Sequence, residues 1–323
     1  MRLSVLAAVA GILVTVASAH AQGFTPTRPV EVVVHTGPGG GTDAFARAMF
    51  TALRKDGLLP VNFLVVNKTG GGSATAMRYL QEKTGDDHTI AIFSSVWITD
   101  PLVQKEAPLT IDQLTPISRL VLEPALFVVN AKSPYKTLKD FIDAAKANPG
   151  QLKQSGGSVL ARDAVVRHVL RAHTGADWSF ISFPSGGERV AALLGGHVDI
   201  MMIEPSEAGE LIRSGRLRAL AQIADTRIPG FPDVPTLKEA GFDVPNVPQA
   251  RGVVAPPKMP AAAVAYYEDL FRRASQSPAY KQYLADTQLE NAYLGSSDLA
   301  GFLKQYQNQM REILKGAGVA VVR

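Results

Sequence analysis

Apolar and polar positions alternate between two periods along this chain. Val30 to Val34 is a short apolar run that predicts a buried strand. Ala44, Phe45, Ala48, Met49, Ala52 and Leu53 then recur at a spacing near 3.6 and predict a helix. Between them lies His35-Thr36-Gly37-Pro38-Gly39-Gly40-Gly41-Thr42-Asp43. Val61 to Val66 predicts a second strand, running into Asn67-Lys68-Thr69-Gly70-Gly71-Gly72-Ser73 and a helix from about Ala74 to Glu82. Thr89 to Phe93 predicts a third strand, ending at Ser94-Ser95. Leu120 to Val129 is a long apolar run broken by Glu123-Pro124 and reads as a crossing between domains.

Beyond Ser133-Pro134 the pattern predicts a helix from Leu138 to Ala147, stopped by Asn148-Pro149-Gly150. Ser155-Gly156-Gly157-Ser158 precedes a helix from about Ala161 to Ala172. Ser179 to Phe183 predicts a strand that runs into Ser185-Gly186-Gly187-Glu188 and the helix Val190 to Leu194. Strands follow at Val198 to Ile203 and Leu217 to Ile223, with a helix to Ser214 between them. A short helix is expected at Leu237 to Ala240, a return crossing at Gly252 to Ala255, and two or three helices from Ala261 to Leu314.

Strands alternating with helices predict parallel sheets in an α/β fold, with ligands beyond the carboxyl ends of the strands. Four strand ends carry Gly/Ser turns: Gly37–Gly41, Gly70–Ser73, Ser155–Ser158 and Ser185–Gly187. Two precede the crossing and two follow it, so two facing lobes would bring all four to one cleft. Glycines let backbone approach a ligand closely, and a helix start offers free N–H groups and positive dipole. A small anion fits such a place.

Composition narrows the function classes. The chain has 323 residues, is 46% hydrophobic and 19% charged, and carries a net charge of +4. That is a well-cored globular protein with room for two domains. Its basic residues are scattered and no aromatic-basic stripe occurs, which argues against nucleic acid as partner. There is no cysteine, so disulfides and thiolate chemistry are excluded. Arg2, the apolar Leu3 to Val16 and Ala19-His20-Ala21 read as a signal peptide cleaved after Ala21, giving an exported, periplasmic protein.

Gly39-Gly40-Gly41-Thr42-Asp43-Ala44 fits the loose G-x-G-x-x-A dinucleotide pattern, but the second strand ends in Asn67 where a ribose-binding acid belongs. No G-x-S-x-G elbow and no H-E-x-x-H pair is present. The reading is therefore of no cofactor, no metal and no catalytic residue. His35 stands at a strand end beside the first turn, with a structural role weighed against ligand contact. Asp43 is better read as a carboxylate that favours the helix dipole and pins the loop, with Arg47 four residues on. Ser94, Ser155 and Ser185 are open between turn stabilisation and ligand binding. Arg251 sits at the return crossing, where it could clamp a carboxylate bidentately or pair with Glu123.

From about Val30 onward the chain resembles the substrate-binding proteins of tripartite tricarboxylate transporters, the Bug or TctC-like receptors. The stretches that carry the resemblance are Gly37-Pro38-Gly39-Gly40-Gly41-Thr42-Asp43-Ala44-Phe45-Ala46-Arg47 and Asn67 with Gly70-Gly71-Gly72. Further stretches are Ala145 to Gly150, Gly186-Gly187-Glu188 through Leu193 to Asp199, Ser214 to Ala221, Pro232 to Gly241 and Ala255-Pro256-Pro257. The resemblance implies a two-lobed periplasmic-binding fold, type II-like, with 22–122 plus 249–323 as one lobe and 123–248 as the other. It implies a monomeric receptor that closes on a small organic carboxylate, di- or tricarboxylate or related acid, and delivers it to membrane transporter subunits or presents it to a sensor. An exported carboxylate-processing enzyme is the remaining alternative. The ligand-binding set it implies is His35, Gly37, Gly39, Gly40, Gly41, Thr42, Asp43, Gly71, Gly72, Ser73, Ser94, Ser95, Ser155, Gly157, Ser158, Ser185, Gly186, Glu204 and Arg251. The Glu204-Pro205-Ser206-Glu207 and Arg251-Gly252 stretches resemble the tricarboxylate-receptor branch more than the amino-acid-binding one. Asp163 stands where the family often has histidine, Phe183-Pro184 where it has Tyr-Lys, and Ala250 near an expected aromatic.

Overall fold

The computed structural model describes residues 23–157, 161–183, 186–247 and 249–323. The expected signal peptide, Ser158 and Ser185 lie outside the described residues. The chain opens with β1 (Val30–Val34), α1 (Gly41–Lys55), β2 (Phe63–Asn67), α2 (Ala74–Glu82), β3 (Thr89–Phe93), α3 (Val96–Val103) and β4 (Thr115–Glu123). After Pro124 come β5 (Ala125–Asn130), α4 (Leu138–Ala147), β6 (Lys153–Gly156), α5 (Arg162–Thr174), β7 (Ser179–Ser182), α6 (Gly186–Leu194), β8 (Ile200–Ile203), α7 (Pro205–Arg213) and β9 (Leu217–Ile223). The chain ends with β10 (Gln249–Ala255), α8 (Ala261–Ala274), α9 (Pro278–Thr287), β11 (Glu290–Leu294) and α10 (Ser296–Gly316).

These elements form an α/β protein of two lobes. One sheet has the order β11-β4-β10-β3-β1-β2, the other β7-β6-β8-β5-β9. The parallel expectation holds for β2-β1-β3 and for β7-β6-β8. It fails at the crossings. β10 runs antiparallel to β3 and β4, and β5 antiparallel to β8 and β9, so both sheets are mixed. The cause is the short link: Pro124 alone separates β4 from β5, and β10 returns alongside β4 in the opposite sense. Proline has no N–H to give a ladder, so the apolar run breaks there into strands of two sheets.

The apolar faces sort the helices into layers. Phe45, Met49 and Leu53 of α1 pack with Tyr267, Leu270 and Phe271 of α8 and with Tyr280 of α9 on one face of the first sheet. Leu193 of α6 and Ala208 of α7 cover one face of the second sheet. α10 is different. Leu299, Leu303, Tyr306, Met310 and Leu314 belong to a cluster that also holds Trp97 and Ile98 of α3 and Val166 and Leu170 of α5, so this helix touches both lobes.

Two expectations change. Leu237 to Ala240 is a single turn, not a helix. Thr236 and Glu239 exchange the reciprocal bonds of a capping box, but Gly241 at φ +90° ends the coil at once. Within the run of C-terminal helices β11 adds an antiparallel edge strand on β4. Among the described residues no helix is long and apolar enough to cross a membrane.

Gly252 occupies the tightest point of the return strand, at a register shift between β10 and β4. A Cβ there would overlap the Ser118 carbonyl and lie 2.6 Å from Phe93 Cε1 and 2.9 Å from Arg119 Cα. Gly252→Ala is therefore expected to destabilise the fold by about 1–3 kcal/mol, the cost of overpacking. Denaturant titration of both proteins measures it.

Candidate functional site: a cleft between the lobes

The first glycine turn is built to leave amides free. Gly39 takes φ +78°, and Gly40 is the N-cap of α1 with no side-chain bond to it. A Cβ on Gly40 would sit 2.7 Å from Thr36 Cβ. The N–H of Asp43 is taken by Thr36 Oγ1 at 3.1 Å, and that of Ala44 by the Gly40 carbonyl. The N–H groups of Gly41 and Thr42 have no acceptor among the described residues. Asp43 folds back as a strut. Its carboxylate accepts from Gly39 N–H at 2.8 Å, from Arg47 at 2.9 Å and from Asn67 at 2.9 Å, and is 2% exposed. Arg47, against the opposing effect of burial and aided by Gly39 and Asn67, lowers the Asp43 pKa to about 2. His35 at the end of β1 accepts from Trp97 Nε1 at 2.9 Å through Nδ1, which leaves its proton on Nε2. Burial, with the charge of Arg251, lowers its pKa to about 4, so the ring is neutral at pH 7.

The crossing carries a chain of charges. Glu123, the last residue of β4, accepts from Arg251 at 2.7 Å and from Gln249 at 2.5 Å. Arg251 also donates to Thr42 Oγ1 at 2.9 Å, so it fixes the start of α1 from the return strand. From the second lobe Arg162 donates to the carbonyls of Glu123 and Pro124 and lies 3.6 Å from Glu204. Burial would raise the Glu123 pKa, but Arg251 and Arg162 outweigh it and hold it below the usual carboxylate range. Glu204 goes the other way. Burial, with Glu123 and Glu207 nearby, raises its pKa against the pull of Arg162 and Arg189.

The second lobe repeats the strut. Asp163 in the first turn of α5 accepts from Gly157 N–H at 2.8 Å, as Asp43 does from Gly39. Arg189 of α6 stands 3.5 Å from Asp163 and 3.5 Å from the Met202 carbonyl, the loosest held of the cleft arginines. Glu204 caps α7, Pro205 has no N–H to offer, and the N–H of Ser206 has no acceptor among the described residues.

Two adjoining cavities lie between these parts. One, of 350 Å³, is lined from the first lobe by Gly41, Phe45 and Tyr283, and from the second by Arg189, Ser206 and Glu207, with Glu123, Glu204 and Arg251 between. The other, of 150 Å³, is lined by Gly157, Arg162, Asp163, Arg189, Glu204 and Gln249. A larger cavity of 450 Å³ lies behind the crossing, from Ala224–Gly230 to Leu284–Asn291. None of the four glycine turns and none of Glu123, Arg162, Arg189, Glu204 and Arg251 lines it, and it shares Leu289 with the 350 Å³ cavity.

Placed against this geometry, the residues expected from sequence divide. Gly41, Gly157, Glu204 and Arg251 line the cavities, and Arg251 forms the Glu123 pair that was one of its two readings. Gly37, Gly39, Gly40 and Thr42 shape the turn behind Gly41. Gly186 opens α6, where a Cβ would lie 2.7 Å from Glu207 Oε2. Asp43 is a strut, not a lining group.

The second turn supports the first and lines neither cavity. Gly71 and Gly72 are exposed, and Ser73 is buried, its N–H donating to Asp100 Oδ2 at 3.2 Å. Burial raises the Asp100 pKa to about 6 despite that bond. Ser94, Ser95 and Ser155 are buried away from both cavities. Ser94 and Ser95 carry the start of α3, and Ser95 lies 3.5 Å from Tyr306 of α10. Arg162, Arg189 and Glu207 were missed. The available signal was position: each is charged and sits in the first turn of a helix after a turn.

The family model for the tripartite tricarboxylate transporter family receptor, TctC, matches residues 46–319. The chain belongs to this family. A UPF0065 protein encoded in the gbd 5′ region of Cupriavidus necator is 30% identical, over 96% of this chain and 93% of that protein. A TctC solute-binding protein from Polaromonas is 25% identical, with TM-score 0.77 over 90% of this chain and 99% of that one. Two proteins from Rhodopseudomonas palustris share the fold. MatC, solved with malate, is 23% identical, with TM-score 0.74 over 90% of this chain and 100% of its own. The second, solved with adipate, is 22% identical, with TM-score 0.80 over 91% and 99%. The TctC family is one of solute-binding receptors, and its solved members are two-lobed periplasmic binding proteins.

The Asp43 strut predicts a titration. Its pKa is lowered in the folded state, so its contribution is complete above the ordinary aspartate value, about 4. That contribution is lost as pH falls toward about 2. Asp43→Ala leaves the Gly39 N–H without its acceptor and the Asn67 amide with the Thr36 carbonyl alone, and is expected to cost about 1–3 kcal/mol at pH 7. The difference between the two proteins should shrink on acidification, as read from chemical denaturation at pH 7 and pH 3.

Proposed function

We propose that this chain is an exported receptor that captures a small organic carboxylate between its lobes and delivers it to a tripartite membrane transporter. The observation that carries the reading is the 350 Å³ cavity, where main-chain N–H groups of Gly41 and Ser206, without an acceptor among the described residues, come from opposite lobes beside Arg189. Each stands at a helix start, where free amides and the helix dipole favour negative charge. Malate and adipate in two proteins of this fold are acids of a size such a cavity accepts. The family of the chain supports the transporter as the partner.

The energetics require closure. Hydrogen bonds to a charged group are worth roughly 1.5–3 kcal/mol each, so four give on the order of 10 kcal/mol gross. Association costs at least about 4 kcal/mol. Micromolar affinity, about −8 kcal/mol, therefore needs part of the ligand buried as the lobes close. The closed form is then the one a membrane partner recognises.

Calorimetry against small mono-, di- and tricarboxylates, with a neutral sugar as control, tests the proposal. One or more acids should bind with micromolar Kd, and Arg189→Ala should weaken that binding at least about tenfold. Binding of the sugar with no response to any acid would overturn it.

A further inference from the structure

One edge of the first sheet is left bare. β2 is its outermost strand, and Phe63-Leu64-Val65-Val66-Asn67 carries no charge, no proline and no register shift against β1. Such an edge offers unpaired main-chain groups to another strand, and proteins commonly blunt it. The other edges here are blunted. β11 is irregular between Asn291 and Leu294, β7 has four residues, and on β9 Gln222 exchanges main-chain bonds with Pro235 and Leu237. β2 bonds to β1 through alternate residues: the Asn62 carbonyl accepts from Val30 N–H at 2.9 Å, and Lys68 N–H donates to the Val34 carbonyl at 2.8 Å. The alternation turns the N–H and C=O groups of Val65 and Asn67 to the open side. Leu64, 49% exposed, is the one large apolar side chain so exposed among the described residues.

Beside this edge runs a groove of 410 Å³ whose other wall is α1. Arg47, Thr51 and Arg54 face it from one side of the helix, and no acid lines it. Arg54 makes no ion pair among the described residues. Arg47 is shared: it donates to Asp43 at 2.9 Å and reaches Asn67 at 3.4 Å, while about half of its side chain is exposed.

We propose that this groove is a docking site for an extended, carboxylate-bearing segment of the membrane partner, added to the first sheet as a strand beside β2. Which partner brings the segment rests on the receptor reading above; the groove and its chemistry do not. The bare main chain pairs with a strand, and the arginine pair favours acids on it. Acids at alternate positions of a strand stand roughly 7 Å apart. Arg47 and Arg54 stand roughly 10 Å apart along α1, so a run of alternating acids covers both. A second copy of this chain fits less well, because pairing β2 with β2 brings two arginine stripes to one seam, where like charges repel. A lipid surface would meet one leucine and leave the main-chain groups of Val65 and Asn67 without partners. Arg47 also ties the groove to the first glycine turn. Through Asp43 it steadies the Gly39 N–H, so an acid drawn to Arg47 is felt at that turn.

The test is ¹⁵N–¹H NMR of the full mature chain, titrated with three acetylated and amidated peptides: TEVEVET, its glutamine counterpart TQVQVQT and its lysine counterpart TKVKVKT. The glutamate peptide is expected to give its largest shifts at Val65, Asn67 and Gly39. It should bind at least about threefold tighter than the glutamine peptide at low salt, and the difference should shrink as salt is raised. Arg54→Glu, at an exposed position, should remove that preference. Val65→Pro takes away an outward N–H without touching the bonds to β1 and should abolish seating of the peptide. Thermal melting of each variant confirms that it is folded. Glutamine or lysine peptide binding as tightly as the glutamate peptide overturns the inference, as do shifts confined to other surfaces. No response to any peptide overturns it too, with or without binding to phosphatidylglycerol vesicles. A dimer in sedimentation that Val65→Pro dissolves assigns the edge to a second copy instead. All of these leave the receptor reading standing, because calorimetry with small acids decides that separately. Binding of the glutamate peptide by a chain that takes no small acid overturns the receptor reading, and with it the transporter as the partner.

Discussion

Glu123 is buried where the chain changes lobes, and a carboxylate there needs partners from both sides. An uncompensated buried charge is strongly destabilising, so the arrangement of the crossing follows from how that charge is met. Arg251 reaches it from the return strand and continues to Thr42 at the start of α1. Arg162 reaches the same corner from α5 and continues to Glu204 at the start of α7. The result is a polar thread from one helix start to another through the hinge. It fixes where the free amides of Gly41 and Ser206 stand relative to each other. A hinge made only of apolar contacts would leave that distance loose.

Each lobe also solves a local problem of its own. A glycine-rich turn that leaves N–H groups unpaired has little to hold its shape. Asp43 and Asp163 supply the missing constraint by accepting one glycine N–H each from just inside the following helix. They differ in charge state. Asp43 is held low by Arg47, while burial raises the Asp163 pKa despite Gly157 and Arg189. The first turn is thus latched by a firm anion and the third by a carboxylate nearer to taking a proton.

Much of this was legible in the sequence, because it is local. The strand–glycine–helix order of Val30–Leu53 sets a turn at a helix start wherever the rest of the chain goes. Asp43 three residues into α1 with Arg47 four beyond is a strut readable from spacing alone. What could not be read depends on pairs far apart. Arg162 meets the Glu123 carbonyl across 39 residues, and Arg251 meets Thr42 across 209. Ser73, Ser94 and Ser155 look like ligand donors beside their glycines, yet each is in the interior, where the packing of α3 and the second sheet places it. The parallel expectation failed only in the crossing strands, whose direction follows from a one-residue link and not from their composition. β11 carries too little apolar pattern, Glu290 to Leu294, to stand out from the helices around it.

The central claim is that a ligand carboxylate is gripped by main-chain amides at helix starts of both lobes. Backbone ¹⁵N–¹H NMR of the mature chain, titrated with whichever acid binds, tests it most directly. The account predicts that the amides of Gly41, Thr42 and Ser206 show the largest downfield shifts and saturate together with one affinity. Shifts confined to one lobe, or largest around the Ala224–Gly230 cavity with these three unmoved, would contradict it.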